Sequence, residues 1–306
     1  MNAVVGYTGF VGSNIYGSGE FEAGYNSSNI EEAFGTGPDL LVFTGLPAEK
    51  YLANSDPEKD LLRIKTAESN IAKIAPKKLV LISTIDVFRT PRGVDETAEI
   101  DTEGLEPYGY DRLMLEKWAR EEYPDALIVR LPALFGKNIK KNFIYDYMNV
   151  IPFMLKEAKF EELSGRAPVL RDYYERADNG FYRAAVPDGM KEEIKDVFRS
   201  LGFSALNFTD SRSVFQFYDL GRLWDDIQTA LAHRITLLHP ATEPVSAAEV
   251  YRYLTGEEFV NELGGDPAFY DYRTVHDSVF GGSGGYICGK EQVMAGIKDF
   301  VTGRAG

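Results

Sequence analysis

Three glycines at three-residue spacing near the start of the chain are the clearest candidates for a chemical site. Gly6, Gly9 and Gly12 lie between an apolar run at residues 3–5 and an apolar-periodic segment that can begin a helix. Gly6 allows a tight bend, Gly9 lets the backbone approach a phosphate, and Gly12 lets the helix pack closely on its strand. The helix N-terminus would then bind an anion. The turn predicts dinucleotide binding, and the simpler alternative is a glycine-rich surface turn.

Residues 26–29 follow the second predicted strand, where a dinucleotide-binding sheet meets the adenosine ribose. An Asp or Glu there would bind the 2′-hydroxyl of NAD, but the segment holds only serines and asparagines. Neutral donors do not repel a 2′-phosphate, so we expect NAD or NADP, with a slight preference for NADP. The predicted cofactor contacts are the turn, this segment and the ends of later strands: Gly6, Thr8, Gly9, Phe10, Val11, Gly12, Asn26, Ser27, Ser28, Thr44, Gly45, Ser83 and Leu131.

A tyrosine and an arginine are the second set of candidates, because a helix places residues four apart on one face. Pro107 can begin that helix, and Tyr108 and Arg112 follow it. Thr84 ends an apolar strand, where its hydroxyl would lie across a pocket from Tyr108 and hydrogen-bond a reacting oxygen. The simpler interpretations are a packed aromatic for Tyr108 and a capped strand end for Thr84.

The elements that must position these residues alternate between strand and helix. Apolar runs predict buried strands at residues 3–5, 21–25, 39–45, 79–82 and 126–131. Alternation of this kind predicts an α/β fold with a Rossmann-like, doubly wound parallel sheet. Ligands of such sheets bind outside the carboxyl ends of the strands, where the glycine turn, Gly45 and Thr84 all fall.

The remaining segments predict a smaller, mainly helical C-terminal substrate lobe. We place the dinucleotide-binding domain at residues 1–150, with a strand and helix at about 210–240 returning to it. The lobe is placed at 151–209 and 241–306, and we expect the site in the cleft between the two. Ser246 with Glu249 three residues later predicts a capping box at one helix start.

Composition excludes several classes of function. The 306 residues carry a net charge of −14, which opposes nucleic-acid binding. The single cysteine excludes an internal disulfide framework, and the three histidines are too scattered to suggest a metal site. No run approaches the roughly 20 apolar residues of a membrane span. A strand beginning at residue 3 leaves no room for a signal peptide, so we expect a cytoplasmic protein, which could be a homodimer.

In their order along the chain these motifs resemble those of the extended short-chain dehydrogenase/reductases, a family of nucleotide-sugar epimerases, dehydratases and ketoreductases. The resemblance is good over residues 1–140, patchy to 245 and poor beyond. It rests on the glycine turn and on Thr84, which occupies the position of the family's catalytic Ser/Thr. Tyr108 and Arg112 stand in the slots of a Tyr-x-x-x-Lys pair, and segments 130–136 and 217–220 also match.

The resemblance implies a nucleotide-sugar substrate and hydride transfer at one sugar carbon, with the tyrosine and threonine assisting as acid and base. The family's lysine binds the nicotinamide ribose and lowers the tyrosine pKa. Arg112 would supply the same positive charge in a bulkier, planar shape. The alternative is a dinucleotide-binding sensor or scaffold that has lost catalysis.

Reaction classes within the family differ in single residues. Its 4,6-dehydratases place Asp and then Glu directly after the Thr, whereas Ile85 and Asp86 stand here, so elimination is disfavoured. Its 3,5-epimerising reductases carry an active-site cysteine, and the cysteine of this chain is Cys288. A 4-epimerase that recycles NAD and a 4-ketoreductase that consumes NADPH both remain open.

Substrate contacts are predicted around the same strand ends and in later polar segments. Residues 136–142 hold three lysines and follow the strand 126–131, so they could bind a diphosphate, although a solvated charged loop is the commoner explanation. The predicted substrate-binding residues are Asp86, Lys141, Asn142 and Arg212.

Overall fold

The computed structural model describes residues 1–177 and 180–303. The strands are β1 (Asn2–Val5), β2 (Ala23–Tyr25), β3 (Leu40–Phe43), β4 (Leu79–Thr84), β5 (Leu127–Leu131), β6 (Ala133–Phe135), β7 (Met154–Lys156), β8 (Tyr174–Arg176), β9 (Phe181–Ala184), β10 (Val214–Phe215), β11 (Phe217–Asp219), β12 (Leu237–Leu238) and β13 (Val245–Ser246). The helices are α1 (Phe10–Ser18), α2 (Lys50–Ser55), α3 (Pro57–Ile74), α4 (Pro107–Glu122), α5 (Phe143–Met148), α6 (Glu157–Arg166), α7 (Lys191–Leu201), α8 (Leu223–Ala232), α9 (Ala247–Thr255) and α10 (Lys290–Val301).

A six-stranded sheet with the order β12-β5-β4-β3-β1-β2 forms the centre of the fold, and every pair in it is parallel. The strands are almost wholly buried, which is why they appear in the sequence as continuous apolar runs. The chain leaves β1 for β2 on one side and returns to β3 on the other. This reversal is the switch point at which such sheets bind ligands. The predicted doubly wound parallel sheet is confirmed.

Helix α3 shows how local sequence sets an element. The side chain of Asp56 accepts a hydrogen bond from the Lys59 amide at 3.2 Å, and Pro57 occupies the first helical position. The helix ends where Ala75 adopts a left-handed conformation with φ of 53°. Its buried face is the stripe Asp60, Ile64, Ala67, Ile71 and Ile74, in which one member is a carboxylate.

The chain forms two compact units whose bounds differ from the predicted ones. The first comprises residues 1–139, 214–245 and 269 onward, and the second comprises 140–213 and 246–268. The C-terminal segment from 269 was predicted for the substrate lobe. It belongs to the first unit because the Tyr270 amide donates to the Val214 carbonyl at 3.0 Å and α10 packs against β11. None of the helices within the described residues is long and apolar enough to cross a membrane.

The second unit is mainly helical, as predicted, and it also contains a small sheet that the sequence did not predict. It contains the antiparallel sheet β7-β9-β8 beside helices α5, α6, α7 and α9. These strands have three or four residues each, too few to show a period in the sequence. A core of its own includes Phe160, Leu163 and Phe198. The predicted capping box at Ser246 and Glu249 is confirmed.

Candidate active site

The glycine turn joins β1 to α1 as the spacing predicts. Gly6 has a φ of 89° and its amide donates to the Tyr25 carbonyl at 2.7 Å. A Cβ on Gly12 would lie 2.1 Å from the Gly6 carbonyl oxygen and 2.5 Å from Thr44 Oγ1. Only glycine at position 12 lets the first turn of α1 approach the strand end this closely. The amides of that turn have no partner within the helix and are available to an anion.

Polar residues around the turn are engaged with one another. Thr44 Oγ1 donates to the Val5 carbonyl at 2.8 Å, so its hydroxyl closes the turn. The Ser28 hydroxyl donates to Asn26 Oδ1 at 2.6 Å, and the Ser28 amide donates to the same oxygen. Ser27 is exposed. The segment predicted to meet the ribose therefore presents neutral groups. One of them, the Ser28 hydroxyl, is already hydrogen-bonded to Asn26.

The lysine-rich segment after β6 is fixed beside α1. Asn14 Nδ2 donates to the Lys137 carbonyl at 2.8 Å, while the Lys137 amide donates to Asn14 Oδ1 at 3.2 Å. Asn138 Nδ2 donates to Ser13 Oγ in the first turn of α1 at 3.1 Å. These bonds place the backbone of Lys137 and Asn138 next to the helix that carries the glycine turn.

A cavity of about 180 Å³ lies at the carboxyl ends of β4 and β5. One side is apolar and includes Leu131, Pro132 and Phe215, and the other carries the polar groups of Thr84, Asp86 and Tyr270. Its complete lining is Thr84, Ile85, Asp86, Leu131, Pro132, Ala133, Phe215, Gln216 and Tyr270. The Gln216 amide group is used in the core, where it bonds the backbone of Thr242 and Tyr272. A small molecule with a polar edge and an apolar face fits such a lining.

Thr84 and Tyr108 are brought together as predicted. Thr84 is the last residue of β4, and its Oγ1 accepts from the Asp86 amide at 3.2 Å. Tyr108 stands in the first turn of α4, where its amide donates to Asn54 Oδ1 at 2.9 Å. A Cβ on Gly109 would lie 2.1 Å from the Asp86 carbonyl oxygen, so α4 begins directly against the loop after Thr84. Burial raises the pKa of Tyr108, against the opposing effects of the Arg112 charge and a hydrogen bond with Thr84.

Asp86 is the carboxylate of the cavity wall. Its Oδ1 accepts from the Tyr270 hydroxyl at 3.2 Å and lies 3.1 Å from Lys50 Nζ. Burial and the Asp86 charge raise the pKa of Tyr270, so its phenol keeps its proton. A lysine, a carboxylate and a phenol thus form a charge-balanced group beside Thr84.

No protein-family model matches the sequence, and no curated protein matches it either. Solved structures do match. dTDP-4-dehydrorhamnose reductase from Bacillus anthracis in complex with NADP has a TM-score of 0.62 at 14% identity, covering 99% of this chain and 98% of that one. A short-chain dehydrogenase/reductase superfamily protein from Agrobacterium tumefaciens with bound NAD has a TM-score of 0.62 at 15% identity, covering 99% and 97%. UDP-galactose 4-epimerase has a TM-score of 0.59 at 12% identity, covering 100% and 99%.

The chain has the short-chain dehydrogenase/reductase fold. The resemblance inferred from the motifs is confirmed at this level. In the family, a lysine would stand on α4 four residues after the tyrosine, and this chain has Arg112 there.

Arg112 is buried, with 4% of its surface exposed, and its guanidinium is bound within the protein. Nη1 donates to Asp60 Oδ2 on α3, and Nη2 donates to the Pro47 carbonyl at 2.9 Å. Cζ lies 4.0 Å from the centroid of the Tyr108 ring. Arg112 therefore places its charge beside Tyr108 as predicted, but its donors face Asp60 and Pro47. Its predicted contact with a ribose stays a prediction.

Ser83 points away from the cavity into a buried ionic network. Its hydroxyl donates to Glu116 Oε1 at 2.5 Å, and Arg130 binds the same carboxylate through Nε and Nη2. Arg130 Nη1 lies 3.2 Å from His239 Nε2, and His239 Nδ1 lies 3.1 Å from the Arg273 carbonyl. Because arginine can only donate, Nε2 is the acceptor and Nδ1 carries the proton. Burial, aided by Arg130, lowers the pKa of His239 to about 3. The network ties α4 to β4 and β5, and leaves only the backbone of Ser83 for a ligand.

The other predicted substrate residues lie in the second unit. Arg212 binds Asp210 through Nε at 2.9 Å and Nη2 at 2.7 Å, and Glu262 lies 3.4 Å from its Nη1. The Asn142 side chain caps α5 by accepting from the amides of Ile144 and Tyr145. Lys141 also lies in this unit and has interactions of its own. Substrate binding by these three residues stays a prediction.

The sequence offered a signal for some residues around the candidate site that the motifs did not include. Asp60 stands at a core position of the apolar stripe of α3, and Glu116 on the buried face of α4. A charged residue on an apolar stripe indicates a buried partner. Tyr270 had no such signal, because its partner Asp86 is 184 residues away.

Proposed function

We propose that this protein is an NAD(P)-dependent oxidoreductase of nucleotide-sugars, a 4-ketoreductase or a 4-epimerase. The observation that carries the proposal is the contact of Thr84 with Tyr108 beside a sugar-sized cavity at the carboxyl ends of β4 and β5. This is the place where a doubly wound sheet binds ligands. The fold is shared with a reductase and an epimerase whose names state nucleotide-sugar substrates.

The glycine turn fits a dinucleotide. The space that a Cβ on Gly12 would fill is occupied by the strand end, and the first-turn amides of α1 remain for a diphosphate. Gly9, Phe10, Val11 and Gly12 would hold the diphosphate, and Asn26 to Ser28 would meet the adenosine ribose. A bound nicotinamide cofactor would exchange a hydride with the sugar carbon. The cofactors named for matched structures are NADP and NAD, consistent with the neutral ribose segment.

Thr84 and Tyr108 would bind the oxygen of the reacting carbon. The raised pKa of Tyr108 keeps the phenol protonated at neutral pH, so it is ready to donate to a ketone oxygen. Abstraction of a proton from a sugar alcohol requires the phenolate instead. The protonation of Tyr108 therefore favours the reductase over the epimerase.

Elimination of water is disfavoured, as the sequence predicts. Ile85 stands where a dehydratase would carry its acid, and only 2% of its surface is exposed. Asp86 is a carboxylate, but Lys50 and Tyr270 hold its Oδ1.

The alternative is a sensor or scaffold that binds a dinucleotide without catalysis. One observation favours this alternative. The guanidinium of Arg112 donates to Asp60 and to the Pro47 carbonyl instead of facing a ligand. A thermal-shift panel of UDP, GDP, CDP and dTDP with saturating cofactor separates the two proposals. An enzyme should gain about 2.7 kcal/mol from a diphosphate at 100 times its dissociation constant.

The control ligand is ADP, which resembles half of the cofactor and competes for its site instead of the sugar site. A response to one pyrimidine or guanine diphosphate, but not to ADP, supports the enzyme and identifies the substrate class. No response to any of the four supports the sensor. Consumption of NADPH by the matching 4-keto sugar would then identify the reductase.

A further inference from the structure

The buried cluster of Asp60, Asp111 and Arg112 contains two carboxyl groups and one arginine. Their exposed fractions are 1%, 5% and 4%. Arg112 Nη1 donates to Asp60 Oδ2, and the Asp111 and Asp60 carboxyl groups lie close enough for a hydrogen bond between them. Ionised carboxylates are acceptors only, so a hydrogen bond between two of them requires a proton on one.

The oxygens that lack donors support the same conclusion. Within the described part of the chain, nothing donates to Asp60 Oδ1 or to Asp111 Oδ2. Arg63 Nη1 lies 3.9 Å from Asp60 Oδ1, too far for a hydrogen bond. Burial and the Asp60 charge raise the pKa of Asp111 to about 6, although the Arg112 charge opposes this shift.

The pair determines where Arg112 points. A buried arginine cannot lose its charge and needs a counter-charge, which Asp60 supplies. With Nη1 on Asp60, the planar fork directs Nη2 to the Pro47 carbonyl and lays the guanidinium over the Tyr108 ring. Arg112 is thus held from α3, from the segment after Gly45 and from its own helix.

We propose that Asp60 and Asp111 share one proton and act as positioning residues, which hold Arg112 against Tyr108 and keep it from serving as a ligand of the cofactor ribose. The last clause rests on the proposed function, and the shared proton does not. A cluster of one arginine, one carboxylate and one carboxylic acid is neutral, which is the state that a buried site favours.

Infrared spectroscopy of the full-length protein with ¹³C-labelled aspartate tests the shared proton. At about pH 5, most copies of a carboxyl with a pKa of about 6 are protonated. Wild type should show a carboxylic-acid band that Asp111→Asn lacks, because the asparagine amide can donate to Asp60 instead. Asp146→Asn is the matched control, since burial raises the pKa of Asp146 to about 7 in the other unit. A wild-type spectrum without a band that depends on Asp111 overturns the shared proton in favour of a bridging water or cation.

Fluorescence titration with NADH tests the role of Arg112. In Arg112→Lys, Asp60 should capture the lysine, so NADH binds no more tightly than to wild type. Adding Asp60→Asn releases the lysine into the family's position, and the double variant should bind NADH about tenfold more tightly than Arg112→Lys, the effect of one charged hydrogen bond. No gain from the second substitution would overturn the positioning role. If the double variant does not fold, Asp60→Asn alone answers the same question, because Arg112 freed from Asp60 should then tighten NADH binding, and unchanged affinity would overturn the positioning role.

The two failures are distinguishable. If wild type binds neither NADH nor NADPH, the proposed function is refuted, while the infrared band still tests the shared proton of Asp60 and Asp111. If wild type binds the cofactor but lacks the band, only the shared proton is refuted.

Discussion

Replacing glycine by alanine at two positions of α1 should change the free energy of unfolding in opposite directions. Gly12 and Gly17 both lie within this helix, and each can be changed to alanine. At Gly12 the new Cβ would lie 2.1 Å from the Gly6 carbonyl oxygen, 2.5 Å from Thr44 Oγ1 and 2.7 Å from the Gly6 carbonyl carbon. At Gly17 it would meet nothing within 4 Å. The pair therefore isolates the close approach of α1 to the strand end.

The magnitudes follow from this geometry. Alanine is about 0.5–1 kcal/mol more favourable than glycine inside a helix, so Gly17→Ala should raise the free energy of unfolding by roughly that amount. Gly12→Ala has a similar helical gain but must displace backbone, and overpacking of this kind costs about 1–3 kcal/mol. Since the helical gain is common to both variants, their difference should be about 1–3 kcal/mol.

The displaced turn should also weaken cofactor binding. A shift of Gly6 or the first turn of α1 misplaces amides that would bind the diphosphate. Each hydrogen bond to a charged group contributes about 1.5–3 kcal/mol, so the loss of one should weaken NADPH binding about 10- to 100-fold. Gly17→Ala should leave NADPH affinity unchanged.

Urea unfolding and NADPH fluorescence titration measure the two effects on the same samples. Equal stability and equal affinity in the two variants would show that Gly12 does not pack against Gly6, and the assignment of the turn would fail. If Gly12→Ala is destabilised but binds NADPH normally, the packing of Gly12 on Gly6 is supported and the proposed diphosphate site is refuted.

Three further predictions concern chemistry, pH and cofactor choice. Tyr108→Phe should lower turnover of a responding nucleotide-sugar about 10²- to 10⁴-fold with little change in cofactor affinity, and full turnover would remove its acid–base role. His239 titrates at about pH 3 in the fold and at an ordinary 6.5 when unfolded. The unfolded chain binds more protons between these values, so stability should fall as pH falls from 6.5 towards 3, by at most about 1.4 kcal/mol per pH unit from this group. Urea unfolding of wild type and His239→Gln over that range measures the difference, which should shrink in acid. Calorimetry with NAD and NADP should show both binding with at most about a tenfold bias to NADP, because Ser27 and Ser28 offer neutral hydrogen bonds; a hundredfold preference either way would mean that another residue decides.

The elements that the sequence predicted correctly are those whose signals are local. The cap at Asp56 with Pro57 and the capping box at Ser246 with Glu249 each use neighbours within four residues. The glycine turn has a local signal as well, because Gly12 packs on the carbonyl of Gly6, although Tyr25 and Thr44 also contact the turn. Short-range patterns of this kind survive folding because no distant residue competes for the same groups.

The residues that the sequence could not assign have distant partners. Arg112 was expected to face a ribose, yet its partner Asp60 lies 52 residues earlier, on another helix. Ser83 stands at a strand end where a ligand was expected, but the parallel register places it opposite Arg130, and Glu116 binds both. A motif specifies the residue type at a position. The side chain's direction depends on charges that only the fold brings near.

The electrostatics of the site are compatible with the proposed binding of an anionic dinucleotide by a chain with a net charge of −14. At physiological ionic strength the field of exposed charges is screened within about 8 Å, so groups beside the diphosphate decide its binding. The charged groups near Thr84 are balanced locally, with Lys50 on Asp86 and Arg112 on Asp60. What remains for the diphosphate is the positive end of α1, with the backbone of Lys137 held beside it by Asn14. Cofactor affinity in this protein should therefore depend on backbone positions that Gly6, Gly12 and Asn14 fix, and a change in net charge far from α1 should matter little.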